Sequence, residues 1–291
     1  MAVQFRGGGA IAAAKLGAIG VLVRSAGGSQ NRLVHTGGMR YENGVEKIPA
    51  GAVSFEDAEL IKHLTQAGKV RIKMLLTPKQ LPDAVSYNVI ADLKGSEKPE
   101  EIVIVSGHLD SWDLGTGALD DACGVAVAMQ VPYLLKQMKI RPKRTIRVVA
   151  YMNEENGLAG GNGYLEEEKA NVAKHFAAIE SDLGASHPIG FLYTAKPEAL
   201  PYFAPLSAIL QSQGASQSQL QAGGVGADIG PLTRQGVPSF APWFDTRTYF
   251  NYHHTAADTF DKIDPKELAE NGAVMAVLAY GLANLEQPLP R

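Results

Sequence analysis

At 291 residues and a formal net charge of −3, the chain is long enough for one large α/β domain plus a smaller one, and it has no basic block suited to nucleic acid. Hydrophobic residues make up 45% and charged residues 20%, the balance of an ordinary globular protein. The single cysteine, Cys123, excludes an internal disulfide and a thiolate zinc site; no run of ~18 apolar residues is read, so no membrane span is expected, and residues 1–6 do not form a signal peptide pattern.

Residues 5 to about 80 read as a small α/β unit. Ala10–Gly17 has helix-forming composition and stops at a glycine. Ala18–Arg24 reads as a strand, Ser25–Asn43 as a Gly/Ser/Asn-rich loop, and Ile48–Val53 as a second short strand. Ser54 stands as a helix N-cap, with Asp57 three residues on and the run Ala58–Leu64 behind it. Val70–Leu76 alternates like a half-exposed strand. His35 and His63 have no acidic neighbour at ligand spacing and read as surface or packing residues. Pro78 and Pro82 break the pattern, so the expected division is a small unit over 1–80 and a larger one over 84–291.

In the larger unit Ser86–Leu93 reads as a strand, and Glu101–Val105 as a buried parallel one. Ala122–Met138 is helical in period, with Pro132 expected to kink or end it. Thr145–Met152 is the next buried strand. Gly160–Gly163 opens a helix over 164–172, whose Glu166–Glu168 run reads as a solvated face. Phe176–Glu180 is a short strand, 185–200 a loop, 201–213 a helix and 214–226 low-complexity loop. Val237–Pro242 is a late strand. Asp264 caps the last helix, with Pro265 at its first position and Glu267 completing a capping box. No internal repeat is present. The expected fold class is α/β: a mostly parallel mixed sheet with helices on both faces.

The chemistry-bearing residues fall at strand ends. His108 and Asp110 follow the 101–105 strand, Glu154 and Glu155 follow the 145–152 strand, and Asp182 follows the 176–180 strand; His253 and His254 come in a loop after the last strand. Open α/β sheets place ligands at such ends. His108 and Asp110 are two apart and share a side of an extended backbone, as a metal ligand and its orienting partner do. Adjacent glutamates beside further carboxylates repel one another unless a cation is bound. Imidazole and carboxylate donors without thiolate fit Zn²⁺ in a hydrolytic site, with Mn²⁺ or Co²⁺ as substitutes.

The order His-x-Asp, Asp-Asp, Glu-Glu, Asp, His-Thr resembles the dinuclear zinc aminopeptidase-like metallopeptidases. Gly107-His108-Leu109-Asp110-Ser111-Trp112-Asp113, Arg141–Thr145, Glu180-Ser181-Asp182 and His253–Thr259 are similar to their carboxypeptidase Q branch, as are His35-Thr36-Gly37 and Lys47-Ile48-Pro49. The resemblance implies a zinc peptidase domain over 84–291 and a partial protease-associated domain over 1–80. It implies that His108 and Asp182 bind one zinc, Glu155 and His254 the other, and Asp120 bridges the two. Glu154 would be the general base for the attacking water, and Asp110 would orient His108. His253 and Asp121 stay open as substitutes for His254 and Asp120. Asp113 reads as structural and Cys123 as a small core residue. Asp228 lacks the histidine that follows it in much of the wider family, and Arg247 and Tyr249 read as loop residues or as contacts to a substrate carboxylate or oxyanion.

The implied activity is hydrolysis of small peptides, unsubstituted dipeptides above all, by an enzyme of carboxypeptidase, aminopeptidase or dipeptidase type, with a homodimer as the implied assembly. Glutaminyl-cyclase-like acyl transfer and a non-catalytic binding module are the alternatives. Members of this branch are longer and carry a secretion signal, so the sequence reads as an N-terminally truncated piece of a secreted, periplasmic or lysosomal protein.

Overall fold

The computed structural model describes residues 4–27 and 31–291 and divides the chain into two units. Met1–Val85, Trp112–Thr116 and Thr248–Asp258 form the first; Ser86–Ser111, Gly117–Arg247 and Thr259–Arg291 form the second.

The first unit contains α1 (Gln4–Ala14), β1 (Val21–Arg24), β2 (Ala50–Val53) and α2 (Phe55–Ala67). α1 begins at Gln4 rather than Ala10 and runs through Gly7, Gly8 and Gly9. β1 and β2 pair in parallel, Val21 opposite Ala50. The Ser54 hydroxyl accepts the Asp57 N–H at 3.0 Å and caps α2 as expected. Part of the expected loop Ser25–Asn43, residues 28–30, lies outside the described residues. Val70–Leu76 is not a strand. Its alternation suits a pleated ladder, but no described strand pairs with it, and Ile72, Leu75 and Leu76 are exposed.

The second unit is built on seven strands. In chain order come β3 (Val89–Leu93), β4 (Lys98–His108), α3 (Cys123–Gln137), β5 (Arg144–Tyr151), α4 (Ala159–Glu168), β6 (His175–Glu180), β7 (Pro188–Thr194), α5 (Leu200–Leu210), β8 (Gln217–Leu220), α6 (Gly230–Arg234), β9 (Ser239–Phe244) and α7 (Pro265–Ala283). The sheet order is β3-β5-β4-β6-β9-β7-β8. β4 runs parallel to β5 and β6, β6 to β9 and β7 to β8, while β3 and β7 run antiparallel to β5 and β9.

The β4 side chains alternate between two cores. Val103 and Val105 pack with Val127 and Val131 of α3 and Val274 and Leu278 of α7. Ile102 and Ile104 pack on the other face with Tyr164 of α4 and Leu232 of α6. Burying each of these side chains contributes about 2 kcal/mol.

Five expectations are corrected here. α3 does not end at Pro132 but continues to Gln137, because the buried run of Val127, Ala128, Val131 and Leu135 outweighs the lost N–H. Residues 118–137 are long and apolar enough to match a membrane span, yet 56% of that stretch is buried inside the fold as a core helix. The loop expected over 185–200 contains β7, and the low-complexity stretch contains β8. Glu168 is not merely solvated, since it pairs with Arg147 at 2.8 Å.

Arg144 is fully buried at the start of β5. Its guanidinium pairs with Glu101, donates to the carbonyls of Ala283 and Leu285, and lies 3.9 Å above the Phe176 ring. Arg144→Met leaves that carboxylate and those carbonyls without their donor. Chemical denaturation should show a loss of about 3 kcal/mol; a midpoint shift within error would mean the guanidinium contributes little to stability.

Candidate metal centre

The parallel strands β4, β5 and β6 end along one edge of the sheet, and each delivers an acidic or imidazole group there. β4 reaches three residues further than the sequence indicates, so His108 is its last residue, opposite Tyr151 of β5. Beyond β4 the segment Ala118–Ala122 leads into α3, with a cis peptide between Asp120 and Asp121. Glu154 and Glu155 sit in the turn after β5, and Asp182 follows Glu180, the last residue of β6.

His108 is 1% exposed, and its two ring nitrogens are held differently. Nδ1 lies 2.9 Å from the Asp110 carbonyl. A carbonyl only accepts, so Nδ1 carries a proton and donates it, and Nε2 is the nitrogen turned toward the carboxylates. Nε2 lies 3.1 Å from Asp120 Oδ1 and 3.5 Å from Asp182 Oδ1. Donor atoms of His108, Asp120 and Asp182 all fall within 4.8 Å of one another, as do those of His108, Glu154 and Glu155.

Asp110 orients His108 through its backbone rather than its carboxylate, which is 3.7 Å from Nδ1. The carboxylate instead accepts the N–H groups of Glu154 at 2.9 Å and Glu155 at 3.2 Å. One residue thus fixes the imidazole and the turn that presents both glutamates. Asp121 is drawn away from the cluster centre. Its Oδ2 accepts the His108 N–H at 2.9 Å and its Oδ1 accepts the Gly124 N–H at 3.1 Å. Gly107 and Gly124 make room for it, since a Cβ on either would come within 2.6 Å of the Asp121 carboxylate.

The electrostatics fit a cation. Burial alone would lower the His108 pKa, but contacts with Asp110, Asp120 and Asp182 outweigh it and raise the value. Burial, then the charges of Asp182, Glu155 and Asp120, pushes Glu154 up to about 8. Burial also raises Asp182, with Asp120 and Glu155 adding to it, and burial and then Asp182 raise Asp121. Crowded carboxylates that resist ionisation, around an imidazole they keep protonated, match a site where a hard or borderline divalent ion would take the place of those protons on nitrogen and oxygen.

A group not singled out in the sequence lies behind this cluster. Glu180, 1% exposed, accepts the N–H groups of Ala227, Asp228 and Ile229 at 2.7, 3.3 and 2.8 Å. Burial, then Asp182, lifts it to about 7. Asp228, also 1% exposed, is lifted to about 9 by burial and then by Glu180. Only the Glu at the head of Glu-Ser-Asp hinted at this role, and strand periodicity had already accounted for it.

The remaining expected residues are held as follows. His253 and His254 belong to Thr248–Asp258 in the first unit. There Thr36 clasps His254: its N–H donates to the His254 carbonyl at 2.8 Å, and its carbonyl lies 3.2 Å from His254 Nδ1. The Arg6 guanidinium contacts the same nitrogen. His253 stacks on His254 at 3.8 Å and lies 4.8 Å from the Tyr249 ring. Tyr249 is buried, Arg247 is an exposed partner of Asp245, and Asp113 is exposed. Cys123 is buried and its thiol donates to the Leu119 carbonyl at 3.2 Å.

The sequence profile of peptidase family M28 matches residues 88–279. Carboxypeptidase Q of Bos taurus is 38% identical over 291 residues, covering 100% of this chain and 61% of its own length. Carboxypeptidase Q of Xenopus laevis is 39% identical over 290 residues, with 99% and 61% covered. The chain thus spans about 61% of the length of these relatives. The structure of a peptidase M28 precursor from Shewanella amazonensis superposes with a TM-score of 0.89 at 40% identity, covering 99% of this chain and 66% of that one. The aminopeptidase of Aneurinibacillus sp. strain AM-1 shares the fold, with a TM-score of 0.63 at 19% identity over 97% of this chain and 68% of that one.

Proposed function

The chain belongs to peptidase family M28, and from that membership and the metal centre we infer that it is a zinc-dependent exopeptidase acting on small peptides, unsubstituted dipeptides above all. The observation that carries this reading is His108. Its Nδ1 is tied to a carbonyl, and its Nε2 faces the carboxylates of Asp120 and Asp182, where a bound cation would replace the Nε2 proton. We assign His108 and Asp182 to one zinc, Glu155 and His254 to a second, and Asp120 to the bridge. His254 and the count of two rest on the family resemblance.

Bound zinc supplies Lewis acidity, which polarises a peptide carbonyl and acidifies water. The chain's own residues do the rest. Glu154 takes the proton of the attacking water on its carboxylate and returns it to the departing amine. It is free to do so because Asp110 holds its backbone rather than its side chain. Asp110 also fixes the His108 tautomer. Asp121 keeps the end of β4 against α3 and so sets the distance between His108 and Asp120.

The Shewanella amazonensis relative is described as a precursor, and in keeping with that we infer an exported or lysosomal enzyme. The deciding assay is hydrolysis of free dipeptides and their end-blocked counterparts, after chelation and again after zinc is restored. Zinc-restored cleavage of free dipeptides alone is the expected result. Absence of cleavage with any metal would overturn the activity and favour a binding module.

A further inference from the structure

The turn that presents Glu154 and Glu155 joins β5 to α4 in a conformation that needs outside support. Asn153 (φ 68°) and Leu158 (φ 62°) both lie in the left-handed region, which costs non-glycine residues free energy and persists where the surroundings impose it. The turn closes on itself at its neck. The Asn153 carbonyl accepts the Leu158 N–H at 2.8 Å, and the Met152 carbonyl accepts the Gly160 N–H at 2.9 Å.

Asn88 lies across that neck. β3 runs antiparallel to β5 with Val89 opposite Ala150, so Asn88, one residue earlier, comes alongside the end of β5. Its Oδ1 accepts the Met152 N–H at 3.0 Å, and its Nδ2 donates to the Gly160 carbonyl at 2.9 Å. One side chain therefore bonds both ends of the turn. That requires an acceptor and a donor on one short planar group, as an asparagine amide provides. The approach is close, because a Cβ on Gly160 would collide with both Asn88 Oδ1 and the Met152 carbonyl. The crest of the same turn is held separately, by the Asp110 carboxylate on the N–H groups of Glu154 and Glu155.

We propose that Asn88 is a positioning residue for the hydrolytic reaction: it locks the neck of the 152–160 turn and so fixes where Glu154 and Glu155 stand beside His108. It acts through the turn's backbone, its side-chain bonds being those to Met152 and Gly160. Its catalytic importance rests on the roles inferred above for the two glutamates. Displacing a reacting group by about 1 Å costs about a hundredfold in rate, so loosening this clamp acts on kcat.

The test compares the full chain with Asn88→Leu, which keeps the side-chain volume and loses both bonds, and with Gly160→Ala, which forces the neck apart with Asn88 intact. On the zinc-loaded chain, kcat for a free dipeptide should fall at least about tenfold in both variants, with KM unchanged within about twofold. Arg144→Met, destabilised at a distance from the turn, should keep the parental kcat at a temperature where it is folded. Hydrogen exchange on the metal-free chain follows the turn without any hydrolysis. Asn88→Leu should speed exchange of the Glu154, Glu155 and Gly160 amides at least about tenfold and leave those of Val103, Ile104 and Val105 at the parental rate. Cleavage of no dipeptide by the parent chain would sink the hydrolytic reading instead, and the exchange rates would then decide the clamp. Unchanged exchange in the turn, or faster exchange spread equally through β4, would overturn the proposal. So would a parental kcat in Asn88→Leu, a parental kcat in Gly160→Ala should Asn88→Leu not fold, or an equal fall in Arg144→Met.

Discussion

Glu154→Gln is expected to retain bound zinc while kcat falls about a thousandfold, the middle of the range for a lost general base. The substitution leaves the backbone N–H that binds Asp110 in place, so the turn and its neighbour Glu155 keep their positions. What disappears is a carboxylate that can accept a proton beside the ligand cluster. Burial, then Asp182, makes this group hold its proton up to about pH 8 in the metal-free chain. A cation opposes those carboxylate charges, so metal loading should extend the ionised range of Glu154 to lower pH. Metal content by equilibrium dialysis and kcat on a free dipeptide separate the two roles. Undiminished kcat would remove Glu154 from the reaction, and lost metal would make it a ligand.

Asp120→Ala and Asp121→Ala should fail in opposite ways. Asp120 faces His108 Nε2, and removing it should strip zinc while leaving the metal-free thermal midpoint near that of the parent chain. Asp121 faces backbone: its two oxygens accept the N–H groups of His108 and Gly124 in a fully buried setting. Its removal leaves two buried donors unsatisfied and should cost about 3 kcal/mol of stability. Metal loss would follow only through the loosened His108. Calorimetry with and without zinc reads both effects. If Asp121→Ala stripped metal at an unchanged midpoint, the bridging role would pass from Asp120 to Asp121.

The two neighbours also show where sequence reading stops. Asp-Asp at this spot gives two equivalent candidates, because a carboxylate's chemistry is the same whichever of adjacent positions carries it. Only the packing of Gly107 and Gly124 around Asp121 shows which one is turned into the framework. Asp110 is similar. Its spacing from His108 placed both on one side of the chain, but the choice between carbonyl and carboxylate as the orienting group depends on where the Glu154 turn comes to rest, and that turn is 44 residues away. The role of Glu180 was hidden, and that of Asp228 left undecided, for the same reason: Glu180 accepts backbone N–H groups of 227–229, a stretch far from it in the chain.

Local chemistry alone determined much of the rest. β-Branched runs gave the buried strands β4, β5 and β6, because a strand covered on both faces needs apolar side chains at every position. Ser54 and Asp264 gave helix starts, because a side-chain oxygen within reach of free N–H groups is a local device. The strand-end positions of His108, Glu154, Glu155 and Asp182 followed from those strands. Tertiary structure decided what depends on a partner. Val70–Leu76 has a strand pattern and no strand partner among the described residues, whereas the wholly exposed Gln217–Leu220 becomes β8 through its ladder to β7. Likewise Trp112–Thr116 and Thr248–Asp258 fold with the first unit, because a chain segment joins the unit that satisfies its backbone groups, as Thr36 does for His254, and the order of residues does not encode that choice.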